Sequence, residues 1–220
     1  MTITSARSQA PPAITEFLEL EITGRCQLTC PTLCYAKSGP TNGHGEMSTA
    51  DWKQLISDAA EVGVKKVQFI GGEPTLHPDF EALVNRALVL GLAVQVYSNL
   101  YRLKLEHWEL FMRPRLTVAT SYYSDDPAEH ERVTNRRGSH AATRANIVEA
   151  LRRGIRLQIG IVEVFEGQRT AQIREELLAL GADRIVTDQV RSVGHGEVLG
   201  SAVRTRSAIA ETASVVSGAS

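Results

Sequence analysis

Short apolar runs and longer amphipathic stretches alternate along most of the chain. Residues 17–22, Phe-Leu-Glu-Leu-Glu-Ile, put apolar side chains at every second position, which predicts a strand with one face on a core. Ser48 and Asp51 have the spacing of a capping box and open a predicted helix at 50–61, with Gly63 beyond its end. The pattern then repeats. Strand 66–70 stops at Gly71 and Gly72, helix 79–90 at Gly91, and strand 92–97 leads to a helix at 105–112 that ends before Pro114. Strand 116–122 follows, then a polar stretch at 124–139, then helix 141–153, strand 156–164, helix 169–180 and strand 184–190. About six β-α units imply a parallel sheet with helices covering its outer face. The expected class is α/β, a partial (β/α)6 TIM-like barrel, since a full eight-fold barrel needs about 250 residues. An open doubly wound sheet is the rival, and in both architectures ligands gather at the carboxyl ends of the strands.

Composition narrows the picture without changing it. With 43% hydrophobic and 22% charged residues, the 220-residue chain has the make-up of one soluble core domain, expected at 14–200. Residues 1–13 are polar, contain Pro11 and Pro12, and are expected to be a disordered lead-in. Residues 201–220 are mostly small and lack aromatics, as expected of a low-complexity, flexible tail, so the chain is either naturally short or truncated near Gly200. A net charge of −1 gives no electrostatic reason for a nucleic-acid partner. No apolar run is long enough to span a bilayer, and the amino terminus lacks the order of a signal peptide. The expected location is cytoplasmic.

The chemistry concentrates in one loop. The three cysteines of the chain, Cys26, Cys30 and Cys34, lie together in Cys-Gln-Leu-Thr-Cys-Pro-Thr-Leu-Cys-Tyr, just after the first strand. An odd, tight set is a poor disulfide framework and a better metal or redox site in a reducing compartment. On a helix this spacing would spread the thiols over about 12 Å of axis, and Pro31 opposes that helix, so a loop curling around one centre is expected. Thiolates select zinc or iron–sulfur clusters. Structural zinc wants four protein ligands, the fourth here being a distant histidine such as His44 or His77. A 4Fe–4S cluster on three thiolates would leave one iron open to a small molecule. On the loop alone both remain open.

The cysteine loop after strand one, followed after strand two by Gly71-Gly72-Glu73-Pro74, resembles the radical S-adenosylmethionine (radical SAM) superfamily. The usual spacing there is C-x3-C-x2-C, whereas this loop has one more residue between Cys30 and Cys34. The resemblance implies that Cys26, Cys30 and Cys34 bind a 4Fe–4S cluster whose open iron chelates SAM. It implies that Gly71, Gly72, Glu73 and Pro74 receive the SAM amino group, with Glu73 accepting from the ammonium. Ser98 and Asn99 at the end of strand three, Ser121 at the end of strand four, and Leu33 and Tyr35 beside the last cysteine are expected as further SAM contacts. The segment 159–163 is a weaker candidate for an adenine contact, and His44 and the Gly-His-Gly turn at 194–196 are weaker still.

By the same resemblance, an electron donor of flavodoxin or ferredoxin type would reduce the cluster. SAM would then be cleaved to a 5′-deoxyadenosyl radical that abstracts a substrate hydrogen. The barrel mouth is expected to be covered by substrate or by the loops 38–47 and 124–139. The polar stretch with His130, Gly138 and Ser139 resembles the peptide-modifying branch, although no cysteine follows Cys34 to build an auxiliary cluster. A peptide is thus the first substrate class and a small biosynthetic molecule the second. A zinc-binding or degenerate barrel acting as a binding module is the non-enzymatic alternative.

Overall fold

The computed structural model describes residues 15–31 and 33–189. The expected lead-in at 1–13, the turn at 194–196 and the tail at 201–220 lie outside the described residues. Six parallel strands form one sheet: β1 (Phe17–Glu21), β2 (Lys66–Ile70), β3 (Ala93–Tyr97), β4 (Leu116–Tyr122), β5 (Leu157–Glu163) and β6 (Ile185–Gln189). Between them run α1 (Thr49–Glu61), α2 (Phe80–Val89), α3 (Leu105–Phe111), α4 (Pro127–Thr134), α5 (Ser139–Arg152) and α6 (Thr170–Ala179).

The spatial order is β1-β2-β3-β4-β5-β6, each strand beside its sequence neighbour. A doubly wound sheet reverses its order at a switch point, and this one never does. Sequential parallel strands with right-handed crossovers send every helix to the same face, so the sheet curls as an arc of a barrel.

Strand periodicity explains the two faces. Leu20 and Ile22, Val67 and Phe69, Val94 and Val96, Leu116 and Val118, and Leu157, Ile159 and Ile161 all join one apolar core with Ile56, Leu83, Phe111 and Ile147 from the helices. Burying each such side chain contributes about 1.5–3 kcal/mol. The alternate positions, including Glu19, Gln68, Tyr97 and Ser121, face the concave side instead.

The expected capping box is present: Asp51 N–H donates to Ser48 Oγ at 3.2 Å, and Ser48 N–H donates to Asp51 Oδ2 at 2.8 Å. The stretch 124–139 departs from expectation, because α4 lies within it. Asp126 Oδ1 accepts from Ala128 N–H at 2.8 Å, Pro127 occupies the first turn, and Asn135 closes the helix in the left-handed region at φ 50°. The next helix starts at Ser139, two residues before the expected 141.

Candidate active site

The ladder between β1 and β2 does not stop where the strands do. Ile22 N–H donates to Ile70 O at 3.1 Å, Gly72 N–H to Thr23 O at 2.7 Å and Glu73 N–H to Arg25 O at 2.8 Å. This brings the Gly-Gly-Glu segment flat against the entry to the cysteine loop. A Cβ on Gly71, whose φ is +143°, would lie 2.2 Å from Thr23 O, and one on Gly72 would lie 2.4 Å from Arg25 O. The missing side chains thus make room for the chain's own backbone.

The cysteine loop is pinned on its other side by residues 39–43. Gly24 N–H donates to Gly43 O at 3.0 Å and Cys26 N–H to Gly39 O at 3.0 Å. Residues 38–47 therefore back the loop rather than cover the barrel mouth, and none of them lines the cavity described below. His44 and His77 meet edge to face at 5.2 Å, with Thr23 Oγ1 2.8 Å from His44 Nδ1, and likewise stand apart from the cysteine cavity. Neither is placed to complete a zinc site with the three thiols.

At the carboxyl ends of the strands lies a cavity of about 340 Å³. Cys26, Cys30 and Cys34 all line it. Of the other expected site residues, Leu33, Tyr35, Gly71, Gly72, Ser98, Asn99 and Ser121 line it too, while Glu73 and Pro74 do not. Glu19 from β1 and Asp188 and Gln189 from β6 share this cavity, as expected if the arc curls its two edges toward one another.

Glu73 is 1% exposed, and its carboxylate is engaged by the protein itself. Oε1 accepts from Thr75 Oγ1 at 2.7 Å, Ser98 Oγ at 2.9 Å and Thr75 N–H at 3.3 Å, and Oε2 from Asn99 N–H at 2.8 Å. Burial pushes its carboxyl above the usual range, against the four donors that pull it down. Four donors on one carboxylate make it the clamp that ties the end of β2 to the end of β3.

Tyr97 lines the cavity although nothing in the sequence marked it as a site residue. Tyr97 hydroxyl pairs with Ser121 Oγ at 3.0 Å, and both belong to the inward parity of their strands. Tyr123 continues that parity from Ser121 into the cavity, whereas Thr120 and Tyr122 point to the helices. Of segment 159–163 only Val162 reaches the cavity, because Ile159 and Ile161 sit in the helix-side core. From α4 come His130 and Thr134, so the stretch 124–139 contributes to the cavity wall. His130 is 1% exposed, and its ring sits 5.3 Å from those of Tyr122 and Tyr123. Burial and the neighbouring His140 hold it neutral, with a pKa lowered to about 3.

Among the described residues no three His, Cys, Asp or Glu side chains stand close enough for a single metal ion, so the three thiols spread around one cavity suit a larger thiolate-bound iron–sulfur cluster better. Burial, with Glu73 and Cys34 adding, pushes the Cys26 thiol up to about 12, and burial beside the other two cysteines pushes Cys30 well above its usual value. Bare thiolates here would repel one another, so the site holds them as thiolates only with a cationic centre among them. Cys26 Sγ accepts from Leu28 N–H at 3.4 Å and Cys34 Sγ from Ser38 N–H at 3.3 Å, donors suited to ligating sulfurs.

Three lone cysteines after β1, a glycine-rich element after β2 and a curled parallel sheet together define a radical SAM core, and the chain belongs to that superfamily, whose family model matches residues 20–168. It is 32% identical over 208 residues to the PqqA peptide cyclase of Xanthomonas campestris pv. campestris, covering 92% of this chain and 52% of that protein. The PqqA peptide cyclase of Rhodopseudomonas palustris is 32% identical over 179 residues, covering 80% of this chain and 47% of the relative. The chain thus spans about half the length of the curated relatives it matches. Among solved structures, Streptococcus suis SuiB bound to S-adenosylmethionine superposes with a TM-score of 0.74 at 16% identity, covering 93% of this chain and 47% of that one. That likeness establishes the partial-barrel fold.

Proposed function

We propose that this chain is the catalytic core of a radical SAM enzyme acting on a peptide, with a 4Fe–4S cluster on Cys26, Cys30 and Cys34 and SAM in the adjoining cavity. The observation that carries the reading is that all three cysteines of the chain line one cavity together with Gly71, Gly72, Ser98 and Asn99. A cluster held by Cys26, Cys30 and Cys34 would supply one-electron reduction of the SAM sulfonium and, through it, abstraction of a substrate hydrogen atom.

The protein's own part is binding, orientation and exclusion of water. Cys26, Cys30 and Cys34 hold the irons as thiolates. Gly71 and Gly72 present backbone at the cavity edge for the amino acid moiety of SAM, and Glu73 acts from behind through Ser98 and Asn99. The Tyr97–Ser121 hydroxyl pair offers donors and acceptors to a ribose. Tyr35 and the apolar wall of Leu33, Tyr123 and Val162 suit the adenine and keep water from a reactive alkyl radical. His130 adds a buried, neutral imidazole to the cavity wall.

A peptide substrate is supported by relatives named as peptide cyclases and by the match to SuiB, solved with its precursor peptide SuiA. A flavodoxin- or ferredoxin-type donor would deliver the electron, and the oxygen-sensitive cluster suits a reducing cytoplasm. Among the described residues no helix is long and apolar enough to cross a membrane.

Anaerobic reconstitution tests the proposal. About four irons and four sulfides per chain are expected, with 5′-deoxyadenosine released from SAM under dithionite. Ser in place of Cys26, Cys30 or Cys34, singly, should abolish both. Stoichiometric zinc without iron, or full cluster content in any single variant, would refute it.

A further inference from the structure

Asn99 sits where three parts of the site meet, and every polar group it owns is engaged. Its backbone N–H donates to Glu73 Oε2 at 2.8 Å, and its carbonyl accepts from Thr143 Oγ1 at 3.0 Å. Its side-chain Oδ1 accepts from Tyr101 N–H at 2.8 Å and Gln27 Nε2 at 3.3 Å. A backbone N–H can only donate, so the atom facing Tyr101 must be the oxygen, and the amide cannot be flipped. The nitrogen end is thereby aimed at Cys26, with Nδ2 3.6 Å from Sγ. The next residue, Leu100, is fully buried in the left-handed region at φ 54°, a conformation that surrounding contacts must enforce. The amide is held in place before any ligand arrives.

The three sulfurs are not treated alike. Cys26 Sγ receives two N–H groups, from Leu28 and Asn99, whereas Cys34 Sγ receives that of Ser38. Cys30 Sγ receives the N–H of its own backbone and otherwise faces an acceptor, Thr134 O, at 4.0 Å. Hydrogen bonds to ligating sulfurs withdraw electron density and stabilise the more negative, reduced state of a cluster.

We infer that Asn99, held in orientation by Gln27, Tyr101 and Glu73, is a positioning residue whose amide raises the reduction potential of the cluster through the sulfur of Cys26. The inference rests on the iron–sulfur reading above. It gives Asn99 a role toward the cluster instead of the SAM contact that its place at the end of β3 suggests. Gln27, in the loop between two cysteines, becomes its support.

The test is an EPR-monitored redox titration of the anaerobically reconstituted full chain, with iron and sulfide measured on every sample. Asn99→Ala and Asn99→Ser should keep the cluster and make its reduction roughly tenfold less favourable, a shift of about 59 mV to lower potential for one electron. Asn99→Asp, which turns an acceptor toward the sulfur, should shift it further the same way. Gln27→Ala leaves Asn99 intact with one anchor fewer and should give a smaller shift of the same sign. An unchanged potential in Asn99→Ala overturns the inference; if that variant holds no cluster, an unchanged potential in Gln27→Ala overturns it equally. A wild-type chain that assembles no cluster fails before any variant is compared and refutes the iron–sulfur reading itself.

Discussion

Replacing Glu73 with Gln separates a carboxylate that binds a ligand from one that holds the protein together. The substitution keeps size and one carbonyl oxygen. If that oxygen stays at the Oε1 position, Thr75 and Ser98 keep their acceptor, but the new amide nitrogen meets the Asn99 N–H across what was a 2.8 Å bond. Rotated the other way, it confronts the Thr75 N–H instead. Either way one buried backbone N–H loses its acceptor and faces the new amide N–H, leaving two unsatisfied donors at about 1–3 kcal/mol each. The cheaper burial of a neutral side chain offsets part of that. The net expectation is a loss of about 2–4 kcal/mol, a large share of the 5–15 kcal/mol that holds a typical domain. Urea unfolding of the apo chain, followed by far-ultraviolet circular dichroism, should show the midpoint falling by about 1–2 M at a slope near 2 kcal/mol per molar. SAM affinity of the reconstituted variant should fall as well, but as a consequence of a loosened β3 end. An unchanged urea midpoint with SAM binding lost would mean that the carboxylate acts on the ligand directly, and the clamp reading would be wrong.

Two further outcomes follow from the same packing. Gly72→Ala forces a Cβ to within 2.4 Å of Arg25 O, so the residue next to Cys26 must move; a loss of about 1–3 kcal/mol from overpacking and a fall in iron content are expected, and a fully loaded, equally stable variant would refute the close fit. His130 resists protonation down to a pKa of about 3, against 6.5 in the unfolded chain, so below pH 6.5 the unfolded state binds the extra proton and stability falls as pH falls. Between pH 7 and pH 5 that term amounts to about 2 kcal/mol. His130→Asn should therefore lose about 2 kcal/mol less than the wild type over this interval in paired urea titrations, and parallel losses would contradict the buried neutral imidazole.

The strands and most helices were legible because each carries its core contacts on a regular period. Val67 and Phe69, or Val94 and Val96, alternate with Gln68 and Gln95, and that parity alone sorts the helix side from the cavity side. Helix α4 hid for the opposite reason. What it buries is Glu129, His130, Val133 and Thr134, largely polar, with Glu129 accepting from Ser124 Oγ at 2.8 Å. A helix that buries hydrogen bonds in place of apolar surface leaves no hydrophobic stripe to read. Its signal lay in the cap: Asp126 followed by Pro127 is a start marker that outweighs the polar composition around it.

At the site, the grouping of the cysteines was legible from residue type and short spacing, and the extra residue between Cys30 and Cys34 leaves all three thiols on one cavity. The role of Glu73 was not legible, because it depends on what lies across the sheet from it. Its neighbours Ser98 and Asn99 are 25 and 26 residues away in sequence and become adjacent only through the β2–β3 register. The same register explains why the two glycines precede it. Gly72 and Glu73 bond to Thr23 and Arg25, Glu73 reaches sideways to Asn99, and Asn99 returns to Cys26, the residue after Arg25. These contacts form a closed ring through three strand ends. A side chain on either glycine would push the ring apart at Thr23 or Arg25, and loss of the carboxylate would release it at Asn99. The motif therefore shapes the cysteine loop from outside the cavity, whatever its backbone also offers to a ligand.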